Sequence, residues 1–190
     1  MPDRLRLRED VLEHARIVVA GGGTLAQGCA ALGAHVLALD ADLLDEAATA
    51  AAAERAGTAT MLIVDAGGLL RGGGEGTAAL AACVDGSWSA LRSLANAAFI
   101  PSGYGRAVIV APRRSDGEHA GAARAALDNL ARTTSIEWAR HGVRVVTIQP
   151  GDATPDSAVG DLLAYLASPA GDYFSGCSIE LGAVSESASS

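Results

Sequence analysis

At 190 residues, the chain is long enough for one domain with its own hydrophobic core. Its net charge is −8, and all 14 basic residues are arginines with no basic stripe among them, which argues against a nucleic-acid partner. Hydrophobic residues make up 49% of the chain but aromatics only 4%, which excludes a disordered chain and implies a core of Ala, Val, Leu and Ile packed around small residues.

The opening segment, Met1 to Arg16, is polar and has no features of a targeting peptide. No apolar run is long enough to span a bilayer. Cys29, Cys83 and Cys177 lie far apart in apolar contexts, as core residues of a reducing compartment would, and no metal-ligand spacing appears. The expectation is a soluble, cytoplasmic protein without a metal site.

Apolar runs that suit buried parallel strands fall at Arg16–Ala20, His35–Leu39, Met61–Val64, Ala107–Val110, Val143–Ile148 and Ser178–Leu181. Helical segments are predicted at Thr24–Leu32, Asp42–Arg55, Gly76–Ile100, His119–His141 and Ser157–Ala167. The acids Asp42, Asp45 and Glu46 suit the start of the second of these, and its run of alanines is strong helix-forming material. Strand alternating with helix gives an α/β fold: a three-layer, Rossmann-like, doubly wound parallel sheet, reduced to about six strands. Residues 1–184 form the single domain and 185–190 read as a frayed tail.

The first strand ends in Ala20-Gly21-Gly22-Gly23-Thr24-Leu25-Ala26. Gly21, Gly23 and Ala26 satisfy the dinucleotide pattern G-x-G-x-x-G/A, and Asp40 closes the next strand, where a ribose acceptor belongs. A carboxylate there would repel a 2′-phosphate, which favours NAD over NADP. The same glycines would also serve a plain strand-to-helix turn. The helices at 76–100 and 119–141 are apolar on more than one side; they either cover the sheet or carry a subunit contact.

Five stretches taken together resemble the short-chain dehydrogenase/reductase family. They are the glycine turn with Asp40; Met61–Gly67, like the family's strand ending in Asn-Asn-Ala-Gly; Gly105–Val110; Ala122 through Ser135–Val145 to Pro150-Gly151; and Leu163–Pro169 with Ser175–Leu181. The resemblance implies hydride transfer with NAD(P), in which a tyrosine exchanges the proton, a lysine tunes it, a serine holds the substrate oxygen and an asparagine anchors a water. Those four positions fall on Ala120, Arg124, Pro112 and Asp85. His119, beside the tyrosine position, is the one substitute acid. Against the family, one strand–helix unit between Asp40 and Met61 and the lid after Pro150-Gly151 are missing. The leading expectation is therefore a non-catalytic subunit that pairs, through helices 76–100 and 119–141, with an active member of the family in a hetero-oligomer. The alternatives are an active NAD-dependent oxidoreductase with rewired residues, and a nucleotide-sensing module.

Overall fold

The computed structural model describes residues 10–22 and 24–182. Six parallel strands form one sheet: β1 (Arg16–Ala20), β2 (His35–Ala38), β3 (Met61–Asp65), β4 (Gly105–Val110), β5 (Val143–Pro150) and β6 (Ser178–Leu181), in the order β2-β1-β3-β4-β5-β6. The predicted α/β architecture is the one observed. Strands β3 and β4 are buried along their whole length, as continuous apolar runs in a sheet covered on both faces must be. The tail predicted at 185–190 lies outside the described residues.

Side chains alternate between two cores. Val18, Ala20, Leu62, Val64, Ala107 and Ile109 face α2 (Glu46–Ala56), α4 (Gly76–Leu94) and α6 (Ala120–Trp138). Ile17, Val19, Ile63, Val108, Val110 and Ile148 face α1 (Gln27–Ala31) and α7 (Asp156–Ala167). Trp88 of α4 stacks on Trp138 of α6 with ring centroids 6.2 Å apart. The two long helices therefore do cover the sheet.

Several helices differ from expectation, and three of the differences have a clear local reason. Helix α2 starts at Glu46 rather than Asp42, because Asp45 is its cap and accepts from the backbone N–H groups of Ala47 and Ala48. Asp42 instead closes a turn by accepting from the Leu44 N–H. A helix absent from the prediction, α3 (Ala66–Gly72), follows β3 directly, capped by the Asp65 carboxylate at the Gly68 N–H. The predicted helix 76–100 ends as α-helix at Leu94 and runs on through a π-helical turn (Ala95–Phe99) into α5 (Ile100–Ser102). That wider turn seats Phe99, fully buried, where a Cβ on Gly105 would overlap it.

Because β2 and β3 flank β1 on opposite sides, the chain reverses direction across the sheet at β1, and a crevice opens at the carboxyl ends of these strands.

Candidate functional site

Two cavities occupy that crevice. The larger, about 880 Å³, lies over the ends of β1 and β2 and is lined by Gly21, Gly22, Thr24, Asp40, Leu43 and Leu69 among others. Its size and apolar walls are those of a small-molecule site. Asp40 stands exposed at its rim.

Gly21 and Gly22 both have positive φ, +88° and +79°. A Cβ on Gly21 would sit 2.6 Å from the Asp65 carbonyl oxygen, so the turn packs directly onto the β3–α3 junction. A Cβ on Gly22 would meet nothing within 4 Å, which leaves that backbone open to the cavity. Gly23, the other glycine of the pattern, lies outside the described residues. Helix α1 begins only at Gln27 and has five residues, because Gly33 at φ +93° turns the chain into β2. It is too short to present a helix dipole to a phosphate.

The smaller cavity, about 290 Å³, lies over β3, β4 and the start of α7. Two ion pairs frame it: Arg71 to Asp116 at 3.0 Å, and Arg113 to Asp156 at 2.7 Å. Arg113 also donates to the Thr154 carbonyl, and its own N–H is accepted by Asp116 at 2.7 Å. Its fifth ionisable group is Asp65, which is 7% exposed and accepts from the Gly68 N–H at 2.8 Å. Burial pushes the Asp65 carboxyl above the usual carboxylate range; the Gly68 N–H and then Arg71 oppose this, while Asp116 and Asp156 add to it. Burial, with Asp65 and Asp116, likewise pushes the nearby Cys83 thiol up to about 12.

A carboxyl with a raised folded-state pKa binds its proton more tightly when folded, so its contribution falls as pH climbs from the unfolded value through the folded one. Asp65→Asn keeps an acceptor for Gly68 and removes the buried charge. The variant should be more stable than the parent at neutral pH, with the gap closing as pH falls; urea unfolding at several pH values measures it.

The residues at the four family positions are only partly brought together. Asp85 is exposed on α4 and lines neither cavity. Ala120 is fully buried at the first residue of α6. Arg124, 7% exposed, donates through Nη1 to the carbonyls of Pro112 at 2.7 Å and Pro150 at 2.9 Å. Burial, and next Arg114, lower its pKa. His119 does not line the smaller cavity; with Glu75 and Glu118 it lines an adjoining one that shares Arg71 and Asp116 with it. Only five residues, 151–155, join β5 to α7, and α2 alone lies between β2 and β3.

Sequence reading missed the smaller cavity. Arg113 stands beside Arg114 in an ordinary polar stretch of sequence, yet it is tied to α7 through Asp156. An acid ending an apolar strand, as Asp65 does, was the one signal available. Among the described residues there is no group of His, Cys, Asp and Glu placed to hold a metal, and no helix long and apolar enough to cross a membrane.

No family model matches the chain, and no curated protein matches it. Solved structures do. A citronellol catabolism dehydrogenase from Pseudomonas aeruginosa is 22% identical with a TM-score of 0.75, the match covering 94% of this chain and 97% of that one. A doubly substituted short-chain dehydrogenase/reductase from Serratia marcescens is 23% identical with a TM-score of 0.73, over 92% and 98%. A hydroxysteroid dehydrogenase from Escherichia coli is 17% identical with a TM-score of 0.71, over 90% and 97%.

These neighbours overturn the expectation of a non-catalytic subunit in a hetero-oligomer: they are named as dehydrogenases and reductases in their own right. At this identity the likeness establishes the fold alone. The chain has the three-layer, Rossmann-like fold of the short-chain dehydrogenases and reductases, a fold consistent with NAD(P) binding.

Proposed function

We propose that the chain is an NAD-dependent oxidoreductase whose reacting groups differ from those the family resemblance implies. The observation that carries this reading is the cavity of about 880 Å³ at the sheet's switch point, with the Gly21–Gly22 turn at one side and Asp40 at its rim. The residues present fit a dinucleotide. Gly22 leaves a cradle that a side chain would fill, the walls offer Leu43 and Leu69 to an adenine, and Asp40 can accept from ribose hydroxyls. Backbone and the loop at Thr24, rather than a helix N-terminus, would face the phosphates.

When bound, the nicotinamide group supplies or accepts a hydride. This chain's own residues provide a neighbouring cavity with the two ion pairs holding its walls, and Asp65 as the buried carboxyl able to hold or give a proton. Ala120 has no proton to exchange, and Nη1 of Arg124 is engaged with two carbonyls.

Fluorescence titration tests the reading. NADH should saturate the chain and NADPH should bind more weakly, with Asp40→Ala lowering NADH affinity roughly tenfold and narrowing the preference. Equal binding of both nucleotides by parent and variant would remove Asp40 from the site. A second reading, nucleotide binding without turnover, is favoured by the burial of Ala120. Oxidation of bound NADH by any of a panel of small neutral aldehydes and ketones decides against it.

A further inference from the structure

Thr24 lines both cavities, so a ligand with two parts can occupy the larger one and continue into the smaller. In the smaller cavity the two guanidinium groups are each paired with a carboxylate: Arg71 with Asp116, and Arg113 with Asp156. Asp65 is left over. Its Oδ1 is held by the Gly68 N–H, and its Oδ2 accepts from none of the described residues. With all five groups ionised, the cavity therefore carries one uncompensated negative charge, on a side chain more than nine-tenths buried.

We infer that Asp65 is the counter-ion for a cationic ring in the smaller cavity, so that the chain binds the oxidised nicotinamide nucleotide, whose ring is cationic, in preference to the neutral reduced one. This rests on the nucleotide reading above and deepens it. Asp65 is only 7% exposed, and an opposite charge placed beside it acts through a lower effective dielectric than in bulk water. The burial that disfavours the carboxylate in the free chain is offset when the cation enters. Linkage sets the direction of the pH dependence: a proton held by Asp65 opposes NAD+ binding, so raising the pH strengthens NAD+ binding while leaving NADH little changed.

The other groups facing Asp65 do not replace it in this role. Arg71 of α3 and Arg113 beyond β4 are each paired with a carboxylate. Asp116 and Asp156 are held in their ion pairs, and the Cys83 thiol of α4, pushed up to about 12, donates to the Ala66 carbonyl.

The test is calorimetric titration of the full chain, as parent and as Asp65→Asn, with NAD+ and separately with NADH, at about pH 5.5 and about pH 8. In the parent, the NAD+ to NADH affinity ratio should be higher at the upper pH than at the lower. In Asp65→Asn the ratio should stay flat. A parent ratio that ignores pH, or a variant ratio that rises as the parent's does, overturns the inference. If neither nucleotide binds the parent at all, the nucleotide reading itself fails, and this inference with it.

Discussion

Arg124→Ala should destabilise the chain by about 3–5 kcal/mol, through two broken charge-assisted hydrogen bonds and the space the side chain leaves. The guanidinium holds the carbonyls of Pro112 and Pro150, which lie at the carboxyl ends of adjacent strands β4 and β5. Truncation leaves both acceptors without that partner. Arg124→Lys should recover part of the loss, since an ammonium can reach a carbonyl but lacks the planar fork. Urea unfolding measures both variants. The family resemblance implies that this position serves the cofactor's ribose. If Arg124→Ala leaves stability unchanged and selectively removes NADH binding, the position has kept that older role and the clamp is incidental.

Gly21→Ala should cost about 2–4 kcal/mol and abolish nucleotide binding. Part of the cost is the positive φ of +88°, which a Cβ tolerates poorly. The rest is overlap with the Asp65 carbonyl at 2.6 Å, a backbone atom that cannot swing away. The turn and the β3–α3 junction would have to separate, and with them Gly21 of the larger cavity and Asp65 of the smaller. Gly22→Ala is the control: its Cβ would meet nothing within 4 Å, so it carries the φ penalty alone. Thermal melts of the two variants should therefore diverge, while NADH titration should show weaker binding for both, since a Gly22 side chain would fill the cradle. Equal losses of stability would show that backbone conformation, not close approach, governs the turn.

Much of the architecture is legible in the sequence because burial on both faces writes itself as continuous apolar runs. Met61–Val64 and Ala107–Val110 each lie within the strand that forms. Helix α3 was not legible, since Gly67 and Gly68 argue against any helix. It forms because Asp65 caps it, and because Gly68 must come within reach of Gly21, where a Cβ would meet the Gly21 carbonyl at 2.9 Å. That is a contact between residues far apart in the chain, invisible to periodicity. The pairing of Arg113 with Asp156 is hidden for the same reason. Asp40 and the glycine turn are visible because motif spacing is local; the smaller cavity is not, because its groups come from four separate segments. Matching Asp85, Pro112, Ala120 and Arg124 to a family pattern located positions without revealing that Arg124 bonds backbone and that Asp85 faces away.

The most direct measurement is a crystal structure of the chain grown with saturating NAD+. The expected result is an adenosine in the larger cavity with ribose hydroxyls at Asp40, and the nicotinamide end past Thr24 beside Asp65. An ordered nucleotide bound elsewhere on the molecule, or both cavities empty at saturation, would contradict it.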